Sequence, residues 1–314
     1  MLIVTGGAGF IGSNLVRGLN RAGRDDIIVV DDLTDGHKYT NIVDCSIADY
    51  WDKREILARL ASLGRAPEAV LHQGACAVTT EWDGRYMLAE NYQCSVDLLG
   101  YCTRHEIPLI YASSAAIYGA STSFREDDPT AERPLNVYGY SKLLFDRYVR
   151  RHLDAARAQV VGLRYFNVYG PNEGHKGGMA SVVWHLMRQL EETGELKLFE
   201  GSHGRDDGEQ RRDFVHVDDV VSVVLWFLEH REVSGIFNVG TGKSSSFNDL
   251  ANAVIEHSGR GSVRYVPFPA GLKSSYQSFT EADLSALREA GYSAPFDDVR
   301  AGVGKYLDAL KPKP

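Results

Sequence analysis

The chain of 314 residues has few cysteines, and these are Cys45, Cys76, Cys94 and Cys102. Four cysteines without a C-x-x-C pair do not form a disulfide framework, so a reducing, cytoplasmic location is the simplest expectation. The sequence also lacks any apolar stretch near the ~18 residues of a transmembrane helix. Its N-terminus runs into glycines without the basic and apolar regions of a signal peptide. Neither a membrane protein nor an exported protein is expected.

The chain lacks an excess of basic residues as well. Its 34 lysines and arginines are outnumbered by 42 aspartates and glutamates, which gives a formal net charge of −8. Nucleic-acid binding is not expected, because phosphate backbones need a basic surface. No metal site is predicted. A small anionic ligand stays open, since it needs only a few local positive groups.

Short apolar runs alternate with helical patterns along the first half of the chain. The runs that predict strands lie at 2–4, 27–30, 69–71, 109–111 and 160–163, and helical patterns lie at 10–22, 53–63, 84–105 and 137–152. This alternation is typical of βαβ units, and continuous apolar strands fit a sheet covered on both faces. The sequence predicts an α/β fold with a Rossmann-type, doubly wound parallel sheet.

The pattern changes after about residue 170. Loops rich in glycine and charge are predicted at 172–178 and 201–212, and segment 263–279 reads as irregular. Helices are predicted at 179–193, 218–230 and 247–257, with two short ones within 281–310. We find no internal repeat or linker, so a smaller α/β region built from insertions is expected.

A glycine-rich loop follows the first predicted strand and opens the first predicted helix. In the run T-G-G-A-G-F-I-G, Gly6, Gly9 and Gly12 fit the spacing of a dinucleotide-binding loop. Glycines permit a tight turn and a close approach to a pyrophosphate, which the helix N-terminus then favours. Strand, helix and a following acidic residue all occur in the required order, so a dinucleotide site is predicted.

The second predicted strand ends at Asp31 and Asp32. A carboxylate there accepts hydrogen bonds from the ribose of NAD and would repel the 2′-phosphate of NADP. Lys38 and Lys53 are candidate cations that could offset this repulsion, although each could equally be a solvated surface charge. The residues alone leave NAD and NADP open.

A serine, a tyrosine and a lysine form the candidate catalytic group. Ser113 and Ser114 end the fourth predicted strand, where a doubly wound sheet binds its ligands. Tyr138 and Lys142 are four residues apart on a predicted helix and share one face, whereas Tyr140 faces elsewhere. We expect the lysine to lower the pKa of Tyr138 and make it a usable acid and base.

Together these motifs resemble the extended short-chain dehydrogenase/reductase family over nearly the whole chain. The resemblance rests on T-G-G-A-G-F-I-G, the serine region, Y-x-x-x-K and the run R-Y-F-N-V-Y-G-P at 164–171. Nucleotide-sugar dehydratases of this family carry Thr-Asp-Glu where this chain has Ser114, Ala115 and Ala116. Alanine side chains cannot act as acid or base, so dehydration is not expected.

Longer runs are similar to the heptose 6-epimerase branch of that family. They lie at 73–77, 79–84, 136–142, 172–181, 199–202, 212–215 and 276–280. The resemblance implies inversion of C6 in ADP-D-glycero-D-manno-heptose through a 6-keto intermediate, with tightly held NADP. It also implies a homo-oligomer, specifically a homopentamer, that makes precursors of the lipopolysaccharide inner core in the bacterial cytoplasm. Residues 1–168 would form the NADP domain, with 213–242 returning to it, and 169–314 would mainly bind the ADP-sugar substrate.

The motifs and the resemblance together assign individual roles. The expected cofactor residues are Gly6, Gly9, Phe10, Ile11, Gly12, Asp31, Asp32, Lys38, Lys53, Gln73, Gly74, Ala75, Cys76, Ala77, Asn91, Tyr138, Lys142, Val168 and Lys176. The expected substrate residues are Ser114, Asn167, Gly178, His185, Phe199, Glu200, Gly201, Ser202, Arg212 and Tyr276.

Inversion of an alcohol requires proton transfer for both configurations, and one acid/base group does not serve both equally well. The resemblance singles out Lys176 as the second group, beside Tyr138, Lys142 and Ser114; the adjacent His175 is the fallback. Two other readings stay open. A UDP-hexose 4-epimerase would use the same serine, tyrosine and lysine, and a non-catalytic NADP-binding regulator would keep the glycine loop.

Overall fold

The computed structural model describes residues 1–202, 204–268 and 277–311. Its strands are β1 (Leu2–Thr5), β2 (Ile27–Asp31), β3 (Asp49–Asp52), β4 (Ala69–His72), β5 (Leu109–Ser114), β6 (Val160–Tyr165), β7 (Asn167–Tyr169), β8 (Glu195–Phe199), β9 (Arg211–Arg212), β10 (Phe214–His216), β11 (Gly235–Val239), β12 (Ser245–Ser246) and β13 (Ser262–Val266). Its α-helices are α1 (Phe10–Arg21), α2 (Ile56–Ser62), α3 (Gly84–Leu88), α4 (Cys94–Arg104), α5 (Val137–His152), α6 (Val182–Thr193), α7 (Val217–Glu229), α8 (Phe247–Ser258), α9 (Ser285–Glu289) and α10 (Val299–Leu310).

Seven of these strands form one parallel sheet in the order β11-β6-β5-β4-β1-β2-β3. Alternate residues of β1 enter opposite cores: Leu2 and Val4 pack with α1 and α7, whereas Ile3 packs with α2, α4 and α5. Helices therefore cover both faces, and the predicted doubly wound α/β fold is confirmed. The strand order reverses between β1 and β4, which is where such sheets bind ligands.

A smaller region follows the main sheet. Strands β8 and β13 pair in parallel, and α6, α8 and α10 pack around a separate apolar core that includes Leu186, Leu196 and Val254. Two further strand pairs, β7 with β10 and β9 with β12, are formed by the segments that connect the main sheet with this region. The smaller α/β region expected from the sequence is therefore present.

The structure corrects several predicted element bounds. The helix predicted at 84–105 is interrupted by a π-helical segment, Ala89–Gln93, between α3 and α4. The segment predicted as irregular at 263–279 begins with β13, and β3 was not predicted. No helix among the described residues is long and apolar enough to cross a membrane.

Candidate active site

The glycine-rich loop lies at the point where the strand order reverses. Gly6 has a φ of +65°, and a Cβ there would lie 2.7 Å from the backbone nitrogen of Gly74, which follows β4. A Cβ on Gly12 would lie 2.0 Å from the carbonyl oxygen of Gly6. Gly9 is the N-cap of α1 and has no side chain to occupy the first-turn amides of Phe10 and Ile11. The close turn and the open helix N-terminus fit a dinucleotide pyrophosphate.

The carboxyl end of β2 carries paired charges. Asp31 is buried; it accepts the backbone amide of Ala8 at 2.7 Å and a hydrogen bond from the ammonium of Lys38. Asp32 lies 3.1 Å from Nζ of Lys53, which also donates to Glu90 at 2.8 Å. Hydrogen bonds from Thr34 and Lys53 hold the pKa of Asp32 well below its usual range. Both candidate cations thus lie beside the carboxylates expected at the ribose.

The segment after β4 is fixed by a buried amide. Asn91 Oδ1 accepts the backbone amide of Cys76 at 2.7 Å, and its Nδ2 donates to the Cys76 carbonyl at 3.0 Å. The same Nδ2 lies 3.1 Å from the Ser141 hydroxyl on α5. Asn91 belongs to the π-helical segment, a distortion that is frequent at functional sites. Asn91 therefore joins the predicted cofactor segment 73–77 to the helix that carries Tyr138.

Two buried polar atoms at this sheet edge have no hydrogen-bond partner within the described residues: Nε2 of Gln73 and Oγ of Ser113. Gln73 Oε1 accepts from the Tyr165 hydroxyl at 3.0 Å, so only its amide nitrogen is unsatisfied. Buried polar groups without partners are rare in folded proteins. These atoms fit a polar group, such as a nicotinamide or a sugar, bound at the same edge.

The candidate catalytic residues lie at the end of β5 and the start of α5. The side chain of Asn136 caps α5 by accepting the Gly139 amide at 2.8 Å, and the Ser114 hydroxyl is near enough to the Tyr138 phenol to lower its pKa. Lys142 is 6% exposed, and its ammonium donates to the Ala112 carbonyl at 2.9 Å. A substrate oxygen between the Ser114 and Tyr138 hydroxyls could exchange a proton with either.

The expectation that Lys142 lowers the pKa of Tyr138 is wrong in this structure. Burial raises the pKa of the Tyr138 phenol, and the hydrogen bond with Ser114 offsets only part of the rise. Burial instead lowers the pKa of Lys142 to about 8. Desolvation disfavours the charged form of both groups and is the largest cause of each pKa shift.

Lys176 lies in the loop between β7 and α6. Its ammonium is 5.2 Å from the centre of the Phe10 ring, beside the glycine-rich loop. Burial lowers its pKa, and the nearby Glu173 carboxylate opposes that effect. Glu173 is fully buried and shapes this loop by accepting hydrogen bonds from the Ser181 hydroxyl at 2.6 Å and the Gly170 amide at 3.3 Å.

Four predicted substrate residues lie together, since Phe199 ends β8 and Glu200, Gly201 and Ser202 follow it. An open cavity of about 690 Å³ is lined by residues 200–202 and 204–207. Gln210 closes this loop, because its Nε2 donates to the Glu200 carbonyl at 3.0 Å and to the Ser202 hydroxyl at 3.1 Å. Three of these four residues, Glu200, Gly201 and Ser202, therefore line a cavity large enough for part of a ligand.

The other predicted substrate residues are spread over neighbouring segments. Asn167 pairs with β10 and lies 3.5 Å from the Thr280 hydroxyl, while the buried Arg212 belongs to β9. Gly178 is exposed in the Lys176 loop, and His185 is partly buried in the first turn of α6. Val168, a predicted cofactor residue, is partly buried in β7. Tyr276 falls outside the described residues.

Sequence reasoning missed several residues that hold the site together. Asp213 is fully buried and accepts the backbone amides of Thr241, Gly242 and Ala282 at 2.7 to 2.9 Å. Glu173, Gln210 and Asn41 were also missed. Each is a polar residue in or beside a loop. The sequence offered one signal for them, which is that each lies within three residues of a residue already predicted to belong to the site.

Comparison with known proteins agrees with this arrangement. A family model described as the NAD dependent epimerase/dehydratase family matches residues 2–240. The chain is 60% identical over 316 residues to the ADP-L-glycero-D-manno-heptose-6-epimerase of Alkalilimnicola ehrlichii, covering 100% of this chain and 98% of that protein.

Solved structures of epimerases also match this chain over nearly its whole length. The crystal structure of Helicobacter pylori ADP-L-glycero-D-manno-heptose-6-epimerase matches with a TM-score of 0.85 and 31% identity, over 98% of this chain and 95% of that one. A UDP-glucose 4-epimerase from Thermotoga maritima, solved with UDP-glucose, matches with a TM-score of 0.80 and 28% identity, over 99% and 98%. The resemblance drawn from the motifs is confirmed. This chain belongs to the NAD dependent epimerase/dehydratase family.

Proposed function

We propose that this chain inverts C6 of the heptose in ADP-D-glycero-D-manno-heptose and gives the ADP-L-glycero-D-manno epimer. The observation that carries the proposal is a pair of separate proton carriers beside one dinucleotide loop. Tyr138 on α5 interacts with Ser114 at the end of β5, and Lys176 lies against Phe10 in the loop before α6. The full-length identity of 60% to a protein named for this reaction supports the choice of substrate.

The residues that would hold the dinucleotide surround the glycine loop. The first turn of α1 would bind the pyrophosphate, and Asp31 with Lys38 would meet the adenosine ribose. Lys142, whose ammonium has one protein acceptor in Ala112, keeps donors for the second ribose. The nicotinamide supplies the oxidation at C6 and the return of the same hydrogen to the other face, so the cofactor ends unchanged.

The chain's own side chains move the protons. Ser114 and Tyr138 would bind the C6 oxygen of one epimer, and Tyr138 would donate the proton as the 6-keto group is reduced to that alcohol. Lys176 would exchange the proton for the other configuration; burial gives it a lowered pKa suited to that task. The raised pKa of Tyr138 keeps it a proton donor near neutral pH.

We extend the proposal to the cofactor, assembly and location. NADP is favoured over NAD because Lys38 and Lys53 both lie beside the carboxylates at the end of β2. A homo-oligomer, specifically a homopentamer, and a role in lipopolysaccharide inner-core precursor synthesis follow from the resemblance. A cytoplasmic location is supported by the four cysteines, which are all free thiols.

The direct test is incubation of the purified chain with ADP-D-glycero-D-manno-heptose and no added reductant. The expected result is conversion to the L-glycero epimer, resolved by NMR or chromatography. UDP-glucose and UDP-galactose are the matched alternative substrates. Turnover of either UDP-hexose without any L-glycero product would overturn the proposal and indicate a 4-epimerase. Nucleotide binding without turnover of any of these sugars would indicate a non-catalytic regulator.

A further inference from the structure

The loop that carries Lys176 is tied to the glycine-rich loop by side chains from distant parts of the chain. Asn14 on α1 donates to the Pro171 carbonyl at 2.8 Å, and Asn172 donates to the Ser13 hydroxyl at 3.1 Å. Both contacts hold the loop before Lys176. After it, a Cβ on Gly177 or Gly178 would meet no atom within 4 Å, so packing there fixes little. The placement of Lys176 therefore depends on contacts near residues 171–175.

Asn41 supplies a third contact at that point. Its side chain is buried, with 7% of the residue exposed, at the end of a 3₁₀ segment, Gly36–Asn41. Its Nδ2 donates to the Ala8 carbonyl at 2.9 Å and lies 3.1 Å from Nδ1 of His175, the neighbour of Lys176. Nδ1 of His175 also lies 3.1 Å from the Asn172 carbonyl, so Nδ1 accepts from Asn41 in the tautomer protonated on Nε2 and donates to Asn172 in the other tautomer. One amide group thus reaches both the glycine loop and the Lys176 loop.

We propose that Asn41 is a positioning residue that holds Lys176 against the nucleotide-binding loop through His175. The inference rests on the proposed function in taking Lys176 as a proton carrier. It also gives His175 a defined task, since its ring lies between the Asn41 amide and the Asn172 carbonyl and orients the loop. Proton transfer is left to Lys176.

The same 3₁₀ segment links this contact to nucleotide recognition. Lys38 lies in it and pairs with Asp31, whose other carboxylate oxygen accepts the Ala8 amide. A nucleotide that engages Lys38 therefore acts on the segment that ends in Asn41. The residue proposed to place Lys176 and the lysine proposed to recognise the ribose end therefore lie in the same 3₁₀ segment.

The alternative is that Asn41 only stabilises the fold. The two roles can be told apart because only a positioning role would make the burial of Lys176 depend on Asn41. Burial lowers the pKa of Lys176, while Glu173 opposes the effect and Phe10 covers the ammonium. The charged groups that interact with His175 include Lys38, Lys176, Asp31 and Asp35. If the loop is released, the ammonium gains water, and its pKa should return toward the ordinary value of 10.5.

The test measures the reactivity of the Lys176 amine with trace acetic anhydride across pH, read by peptide mass spectrometry in the full chain. Asn41→Ala, His175→Ala and the double variant are compared with Asn20→Ala. Asn20 is a matched control, because its amide bridges the Arg24 and Ser46 carbonyls away from the site. This readout needs no turnover, so it separates failure of this inference from failure of the proposed function.

We expect the labelling midpoint of Lys176 to rise by about 0.5 on the pH scale in each single variant and no further in the double. With substrate, kcat should fall about tenfold or more while KM stays within about twofold, because misplacement of a reacting group affects the chemical step. An unchanged midpoint in both single variants, or additive effects in the double, would overturn the proposal. If Asn41→Ala fails to fold, His175→Ala alone decides the outcome through the same midpoint.

Discussion

Lys38 and Asp31 form an ion pair at the carboxyl end of β2, and Asp31 simultaneously accepts the Ala8 amide of the glycine-rich loop. The carboxylate is therefore already balanced by a cation before any ligand arrives. A 2′-phosphate at this position would meet an ammonium beside the acid, which is the arrangement that NADP needs.

Removal of the Lys38 ammonium should weaken NADP binding more than NAD binding. A hydrogen bond to a charged group contributes about 1.5–3 kcal/mol, so Lys38→Met should raise the Kd for NADP by about 10- to 100-fold. Calorimetric titration of both nucleotides measures the effect. Lys53→Met is the comparison, because that ammonium is held by Asp32 and Glu90. Equal losses for NAD and NADP in Lys38→Met would argue against a role in 2′-phosphate recognition.

The two proton carriers should each be needed for turnover. Tyr138→Phe and Lys176→Met should each slow epimerisation by about 100-fold or more, since general acid–base catalysis contributes 10²–10⁴. The rates should be measured from both epimers. Tyr140→Phe is the control, as that ring is 44% exposed and lies two residues from Tyr138 on α5. Full activity of either active-site variant would remove that residue from its proposed role.

Lys142 should lower the stability of the fold while serving the site. Burial lowers its pKa from 10.5 to about 8, so at neutral pH its charged form costs about 3 kcal/mol. Above the folded pKa the unfolded state binds more protons, and this cost is relieved as pH rises from 8 toward 10.5. Lys142→Met should therefore raise the free energy of unfolding at pH 7, with a smaller gain near pH 10.5.

Urea unfolding at the two pH values checks that expectation, with the exposed Lys197→Met as control. The Lys142→Met variant should also lose nucleotide affinity and turnover. If the free energy of unfolding of Lys142→Met fell by more than about 1 kcal/mol at pH 7, the contact of Lys142 with the Ala112 carbonyl would outweigh the cost of desolvation.

A buried ion network holds α5 against the sheet. Arg164 on β6 is fully buried and donates to Asp146 on α5 and to Glu132, each at 2.8 Å. Loss of one partner leaves an unpaired buried charge, so Asp146→Leu should cost about 3–5 kcal/mol of unfolding free energy. Arg147→Met, which removes a half-exposed partner of Glu132, should cost under about 1 kcal/mol. Similar losses in both variants, measured by denaturant titration, would contradict this account of the network.

Five of the seven strands in the central sheet could be predicted from the sequence, because β1, β2, β4, β5 and β6 contain continuous apolar runs. The strands β3 and β11 were not predicted, and neither is fully buried. The residues of β1 and β4 are all buried, and so are those of β6, as a sheet covered on both faces requires. Strand β13 was missed, since Ser262, Arg264 and Tyr265 are exposed and its partner β8 lies far away in the chain. The interruption of the predicted helix 84–105 depends on a tertiary contact, that of Asn91 with Cys76, which local periodicity does not encode.

The candidate site divides in the same way. The glycines stand at fixed spacings in the loop before α1, and Tyr138 and Lys142 stand at a fixed spacing on α5. Such spacings can be recognised in a sequence. Asn41 and Gln210 act through hydrogen bonds between loops, and no spacing rule connects Asn41 with His175. The raised pKa of Tyr138 was missed because burial outweighs a helical neighbour, and burial is a property of the folded chain.

The most direct test of the central claim is the fate of the C6 hydrogen during epimerisation. The purified chain would be incubated with ADP-D-glycero-D-manno-heptose deuterated at C6, in ordinary water and without added reductant, and the product examined by mass spectrometry and NMR. The account predicts the L-glycero epimer with its C6 deuterium retained, because the bound dinucleotide takes and returns that atom. Formation of the L-glycero product with deuterium replaced by solvent hydrogen, or no L-glycero product at all, would contradict it.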